Sequence, residues 1–143
     1  VPVVGDYERV MPGEEFDELV RLTDHLVVDE KFAMAITGSD DPALLLRDFW
    51  NERRKAVVVT RGDRGCIYRV GEDSPETHLD AMRFGETQDT TGCGDVFHGI
   101  YAAALAEGLP IAECVRRAMI VAGIKATRLG GQAGIPKKAE TPF

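Results

Sequence analysis

Cysteine is scarce in this chain, whose 143 residues contain only Cys66, Cys93 and Cys114. The three are far apart and odd in number, which excludes a disulfide framework and matches no zinc-site spacing. Such a chain suits a reducing compartment, so we expect a cytoplasmic protein. The chain begins with Val1 inside an apolar V-P-V-V segment and shows no signal-like region. This start suggests that an earlier part of a longer protein precedes it.

Long apolar runs and a basic excess are also missing. No run approaches the roughly 18 apolar residues of a membrane span, so no membrane partner is expected. The net charge of −7 argues against a nucleic-acid partner. The basic cluster Arg53-Arg54-Lys55 is expected to be a solvated helix end. At 44% hydrophobic residues, the composition is otherwise that of one globular domain with a core.

Short apolar segments alternate with segments of helical period in the first half of the chain. The predicted strands are 1–4, 25–28, 56–60, 66–70 and 78–83. The predicted helices are 14–23, about 40–54, a segment that runs from the end of a glycine-rich loop at 85–94 to about 106, and about 111–128. Alternating strands and helices predict parallel pairing under covering helices, and short links between the later strands predict antiparallel additions. We therefore expect a three-layer α/β/α domain.

Two glycine-rich turns stand out in the sequence. The first, T-R-G-D-R-G at 60–65, comes directly after the strand A-V-V-V-T, and the carboxyl ends of such strands are where open α/β sheets bind ligands. It lacks the spacing and the lysine of a Walker P-loop. Taken alone, this motif is weak, because any hairpin could use it, and a plain turn with no ligand is the favoured interpretation.

The second turn, Q-D-T-T-G-C-G-D-V-F-H-G at 88–99, leads straight into a helix. The first turn of a helix carries unpaired N–H groups and attracts anions. Gly92 and Gly94 have no Cβ to block a ligand, and Asp95 lies at the mouth of this positive site. The pattern predicts an anion hole beside a carboxylate that could accept a proton. A capped helix after a glycine loop is the structural alternative.

The stretch D-T-T-G-C-G-D-V-F-H-G resembles the second signature of the PfkB/ribokinase family of carbohydrate kinases, usually D-T-x-G-A-G-D-x-F-x-G. The T-x-G-x-x-G turn and the tail A-T-R-L-G-G-Q-A-G-I-P are similar to further segments of that family. The resemblance implies a ribokinase-like fold and covers about the C-terminal half of a typical member. Residues 1–143 would then be its ATP-binding and catalytic-base portion, without the N-terminal sugar-binding and lid region, and inactive alone.

The resemblance also implies roles for the second turn. Asp95 would be the base that takes a proton from a sugar hydroxyl. The backbone N–H groups of Gly92, Cys93 and Gly94 would form the anion hole for the transferred phosphoryl group. Cys93 stands where the family usually has alanine, a change that should be tolerated because only its N–H is needed. His98, three residues after the base, is expected to have no catalytic role.

Cofactor sites are implied in the same way. Thr60, Gly62 and Gly65 would line the ATP site, and ATP would bring Mg²⁺. Asp89 and Thr91 would hold a monovalent cation such as K⁺. For Lys125 and Arg128, solvation at a helix end is the favoured interpretation, although either could approach nucleotide phosphates.

One departure bears on the substrate. Many members carry N-x-x-E after the strand at 25–28, for Mg²⁺ and phosphate, but here the stretch reads D-E-K-F, with Phe32 in place of the glutamate. Ketohexokinase-like members also lack the motif, so the resemblance favours phosphorylation of a ketose or fructose-like sugar. A nucleoside substrate and a regulatory nucleotide-binding module without turnover are the alternatives. A homodimer through the lid is a further implication.

Overall fold

The computed structural model describes residues 1–143 and divides into two compact units, Val1–Asp80 and Ala81–Phe143. The first unit contains one sheet of five strands that lie side by side in chain order: β1 (Val4–Tyr7), β2 (His25–Asp29), β3 (Ala56–Thr60), β4 (Cys66–Val70) and β5 (Thr77–Leu79). The first three strands are parallel, and β4 and β5 are antiparallel to their neighbours. The predicted α/β class and the mixed strand directions are confirmed. The first strand begins later than predicted and the last one ends earlier.

The strands β2 and β3 form the buried centre of this sheet. Four successive side chains in each strand are buried, and because alternate side chains point to opposite faces, both faces of these strands are covered. The core of the unit consists of Phe16, Leu26, Val28, Phe32, Ala33, Leu45, Leu46, Phe49, Val57, Val59 and Ile67.

Three helices accompany the sheet: α1 (Glu14–Leu22), α2 (Glu30–Thr37) and α3 (Pro42–Asp48). The sequence did not predict α2. Asp29 ends β2 and also caps α2, because its carboxylate accepts a hydrogen bond from the Phe32 N–H at 2.6 Å. Gly38, in the left-handed region with φ 68°, ends the helix. Strand and helix therefore meet without the turn residues that would have indicated a boundary.

The third helix is shorter than predicted and corrects the expectation for the basic cluster. Beyond Asp48, the Asn51 side chain accepts hydrogen bonds from the N–H groups of Arg53 and Arg54, at 2.9 and 3.0 Å, and so competes with a continued helix. Arg54 is only 4% exposed. Its guanidinium donates to three main-chain carbonyls, those of Phe49, Val20 and Thr23. Arg54 is thus a buried clamp and not a solvated helix end.

The second unit is built on two helices that pack against each other, α4 (Cys93–Ala106) and α5 (Ile111–Ala126). Segment 81–84 lies against α5 at Gly123, where an added Cβ would be 2.4 Å from the Met82 carbonyl oxygen and 3.1 Å from the Phe84 ring. This close approach requires a residue without a side chain. None of the helices in the chain combines the length and the apolar character needed to cross a membrane.

Candidate active site

The glycine-rich loop of the second unit is docked on the end of α5. The N–H groups of Gln88 and Asp89 both donate to the Ala126 carbonyl, at 2.8 and 3.2 Å. The last carbonyls of a helix have no partner within the helix, so the start of the loop satisfies one of them. The end of the loop begins α4 at Cys93. The loop therefore joins the carboxyl end of one helix to the amino end of the next.

The Asp89 carboxylate holds this loop in place. Its Oδ1 accepts a hydrogen bond from the Thr91 N–H at 2.8 Å, and its Oδ2 accepts one from the Gly130 N–H at 2.9 Å. These bonds favour the charged form: the Thr91 N–H, the Thr91 hydroxyl and then the Gly130 N–H lower the pKa of Asp89 to about 2. Asp89 is thus ionised at neutral pH and ties the loop to the Gly130-Gly131 turn.

Lys125 lies beneath the same loop and corrects the expectation of solvation. Its side chain is 0% exposed, its Nζ donates to the Asp89 main-chain oxygen at 2.8 Å, and Nζ lies 3.8 Å from Asp89 Oδ2. The lysine is buried because the loop folds back over the end of α5. Arg128, by contrast, is partly exposed and pairs with Glu140 at 2.9 Å, as expected for a residue just beyond the helix.

The predicted anion hole is the amino end of α4. Gly92 is the N-cap with φ 77°, a left-handed conformation that favours glycine, and no side chain caps the helix. Cys93 N–H donates to the Thr90 carbonyl at 3.1 Å, so this predicted donor is engaged within the turn. Gly94 is exposed, and a Cβ built on it would meet no atom within 4 Å. The space above Gly94 is therefore open to a ligand.

The predicted base stands at this helix end. Asp95 is the third residue of α4 and is exposed. Its Oδ2 lies 3.8 Å from the position that a Cβ on Gly92 would occupy. The carboxylate is therefore close to the turn and accessible to solvent. An exposed carboxylate beside unpaired N–H groups can accept a proton from a group that binds there.

The two neighbours that the sequence singled out face the protein itself. Cys93 Sγ lies 3.6 Å from the Ala122 carbonyl, and burial raises the pKa of this thiol. His98 Nδ1 lies 2.9 Å from the Gly94 carbonyl, which only accepts, so Nδ1–H donates to the helix backbone.

The first glycine-rich turn lies in the other unit, at the carboxyl end of β3. Residues 62–64 form a short 3₁₀ turn closed by a hydrogen bond from Arg61 N–H to the Gly65 carbonyl at 2.8 Å. Gly62 and Gly65 have φ angles of 59° and 82°, so both are in the left-handed region that favours glycine. The Thr60 hydroxyl is directed back to the Val28 carbonyl at 3.4 Å. The glycine spacing is therefore required by the turn itself.

Glu30 is a contact of this turn that the sequence did not indicate. Its carboxylate pairs with Arg61 at 3.0 Å and also with Arg64. Phe32, where the resemblance predicts a glutamate, is 2% exposed and stacks on Phe49 with ring centroids 6.2 Å apart. The D-E-K-F stretch thus supplies a core aromatic and a carboxylate already held by two arginines. Glu30 lies 31 and 34 positions before the two arginines, and no local sequence pattern indicates a pairing over that separation.

The structure brings together Asp89, Thr91, the backbone of 92–94 and Asp95 in the second unit, and Thr60, Gly62 and Gly65 in the first. No group of three or more histidine, cysteine, aspartate or glutamate side chains is arranged to hold a metal ion. The role of each predicted site residue stays a prediction.

Comparisons with known proteins bear on these two sites. The model of a family described as pfkB family carbohydrate kinase matches residues 7–138. Ribokinase of Lactococcus lactis is 28% identical over 130 residues, covering 90% of this chain and 41% of that protein. Cytidine kinase of Thermococcus kodakarensis is 33% identical over 99 residues, covering 69% and 35%. The chain thus spans well under half the length of these relatives.

Solved structures are similar over nearly the whole chain. Ribokinase from Giardia lamblia superposes with a TM-score of 0.85 at 25% identity, covering 98% of this chain and 49% of that one. An Escherichia coli protein assigned as ribokinase II, in complex with ATP and Mg²⁺, gives a TM-score of 0.73 at 25% identity, covering 85% and 40%. The predicted ribokinase-like α/β fold is confirmed.

Proposed function

Because the chain belongs to the pfkB family of carbohydrate kinases, we propose that it is the part of an ATP-dependent kinase that binds the nucleotide and supplies the base. The acceptor is a hydroxyl of a small sugar. The observation that carries this proposal is the exposed Asp95 carboxylate at an uncapped helix N-terminus. Phosphoryl transfer needs positioning and charge stabilisation more than covalent chemistry, and this arrangement offers both.

In this proposal Asp95 accepts the proton of the acceptor hydroxyl as the hydroxyl oxygen attacks the γ-phosphorus of ATP. The bond from that phosphorus to the bridging oxygen breaks, and ADP leaves. The backbone N–H groups of Gly92, Cys93 and Gly94 stabilise the charge of the transferred group, together with the positive end of α4. The Cys93 N–H would have to exchange its bond to the Thr90 carbonyl for one to the phosphoryl group. The exposed Gly94 leaves room for that group.

The nucleotide is proposed to bind at Thr60, Gly62 and Gly65, as implied by the family motif. The ATP and Mg²⁺ of the similar Escherichia coli structure support this choice of cofactors. Mg²⁺ commonly binds through substrate phosphates, waters and one or two carboxylates, so it would enter with ATP. Glu30 is not proposed as a ligand, because Arg61 and Arg64 already neutralise it.

The acceptor is proposed to be a ketose or fructose-like sugar, because the stretch after β2 lacks the N-x-x-E glutamate and buries Phe32 instead. The cytidine kinase relative favours a nucleoside as the second candidate. The exposed Asp95 weighs against a regulatory module, since a protein that only binds nucleotide needs no base. A cytoplasmic location, a homodimer through the lid and inactivity of residues 1–143 alone also stay predictions.

Turnover by the full-length protein and its Asp95→Asn variant, over a panel of sugars and nucleosides, tests this function. We expect kcat to fall by about 10²- to 10⁴-fold in the variant, while ATP binding is retained. Asp17→Asn, which removes an exposed carboxylate on α1, is the matched control and should not change kcat. Equal rates for wild type and Asp95→Asn would contradict the base assignment. ATP binding without turnover on any acceptor would favour the regulatory module.

A further inference from the structure

Asp89 is the residue to which the family resemblance assigns a monovalent cation, but its oxygens already accept hydrogen bonds from within the chain. Oδ1 accepts from the Thr91 N–H and Oδ2 from the Gly130 N–H. The main-chain oxygen accepts from Lys125 Nζ at 2.8 Å. A cation would have to compete with these donors for the same oxygens.

The charge balance is equally unfavourable to a bound cation. The Lys125 ammonium lies 3.8 Å from Asp89 Oδ2, and its side chain has no exposure to solvent. A second positive charge at Asp89 would lie beside this ammonium, and two like charges that close repel each other. Asp89 and Thr91 as arranged here therefore do not fit a monovalent cation.

We propose that the Lys125 ammonium takes the place of the monovalent cation at Asp89, so that this protein works without K⁺ or Na⁺. The inference rests on the proposed function only for its activity test. The ammonium contacts a carbonyl oxygen and a carboxylate of the loop, the two kinds of oxygen that a bound alkali cation would need. Because it is covalently attached to α5, its position does not depend on the ionic composition of the solution.

The location of Lys125 explains how it can act on the loop. It is the penultimate residue of α5, where the helix dipole favours a cation. The neighbouring Ala126 carbonyl accepts the N–H groups of Gln88 and Asp89. One helix end thus fixes both the backbone and the charge at the start of the loop that leads to Gly92 and Asp95. Lys125 is a positioning residue, since it reaches the loop and not the reacting atoms.

A stability measurement tests the proposal without turnover. The Tm of the full-length protein is compared in KCl and in tetramethylammonium chloride of equal concentration. Wild type should show no K⁺-specific rise, because the ammonium occupies the position. Lys125→Met keeps the apolar stem and removes the charge, so K⁺ should raise the Tm of this variant through binding to the folded state. Lys31→Met, at an exposed lysine of α2, is the control and should respond as wild type does.

The outcomes separate clearly. A K⁺-specific rise in the Tm of wild type would overturn the proposal, and so would a Lys125→Met variant that folds but does not respond to K⁺. If Lys125→Met does not fold, the wild-type comparison still decides the question.

Activity gives a second readout. The kcat and KM of wild type should be the same in both salts, whereas Lys125→Met should lose kcat and regain part of it in K⁺. Stimulation of wild type by about fivefold or more, the lower end of ordinary coupling between sites, would overturn the proposal. If the protein phosphorylates no acceptor, the proposed function fails, while the Tm comparison still tests Lys125.

Discussion

The Asp89 carboxylate accepts a hydrogen bond from the Gly130 N–H at 2.9 Å, across 41 positions of the sequence. The bond joins the loop before α4 to the turn after α5, so two segments that carry family motifs are held as one piece. The Thr91 N–H and hydroxyl, and after them the Gly130 N–H, lower the pKa of this carboxyl and so keep it charged. Folding and ionisation of Asp89 are therefore linked.

Acid should weaken the protein through Asp89. The pKa of this carboxyl is lowered from 3.8 to about 2 in the folded protein, so its stabilising effect is fully present above pH 3.8 and is lost as the pH falls toward about 2. Asp89→Asn should lower the Tm at neutral pH and show a smaller further loss on acidification than wild type. Thermal unfolding from about pH 7 down to about pH 2 measures both. Parallel Tm curves for the two proteins would contradict the linkage.

Gly123 should not tolerate a methyl group. An added Cβ would lie 2.4 Å from the Met82 carbonyl oxygen, which is backbone and cannot move aside easily. Gly123→Ala should therefore cost about 1–3 kcal/mol of unfolding free energy, despite the better helix propensity of alanine. Gly99→Ala is the matched control, because its methyl group on α4 would meet no atom within 4 Å. Urea unfolding compares them, and equal stabilities would contradict the close approach.

Removal of the buried guanidinium of Arg54 should weaken the first unit. It donates to carbonyls of Phe49, Val20 and Thr23, which would lose their partners in Arg54→Met. We expect a loss of about 2–4 kcal/mol in unfolding free energy. Arg53→Met is the control, since that side chain is 45% exposed and pairs with Asp24 at 3.2 Å; it should cost below about 1 kcal/mol. A similar loss in both variants would show that the clamp is not what stabilises this region.

Most of the sheet could be predicted from the sequence, because the residue pattern of a strand is local. The β-branched run A-V-V-V-T at 56–60 indicated a buried strand, and the short links after it indicated antiparallel neighbours. The helix α2 was not predicted, because Asp29 serves as both strand end and helix cap. The helix α3 was predicted too long, because the hydrogen bond that the Asn51 side chain accepts from the backbone depends on its conformation, which the sequence does not show.

The parts of the candidate site that depend on backbone geometry could be predicted from the sequence. The part that depends on the burial of a side chain could not. The glycines of both turns and the carboxylate at the start of α4 follow from residue type and spacing. Lys125 does not, because a lysine near a helix end is usually solvated and this one is covered by a loop 36 positions earlier in the sequence. Its burial is a tertiary property with no local pattern to indicate it.

We expect that glycine is required at position 94 for catalysis and not for the stability of the fold. It lies in the first turn of α4, has no positive φ, and an added methyl group would meet no atom of the chain within 4 Å. Gly94→Ala should therefore leave the protein as stable as wild type, or more stable by up to about 1 kcal/mol. The same methyl group would project into the space that we assign to the transferred phosphoryl group, so kcat of the full-length protein should fall.

Retained stability together with lost turnover in Gly94→Ala would distinguish an anion hole from a loop with only a structural role. Gly99→Ala gives the stability gain expected from a methyl group in open space on the same helix, and urea unfolding of the two variants should agree. Gly92→Ala should behave differently, because φ 77° strains any residue with a Cβ by about 1–2 kcal/mol. If Gly94→Ala turns over substrate at the wild-type rate, the phosphoryl group does not bind over Gly94, and the anion hole must be sought elsewhere on the loop.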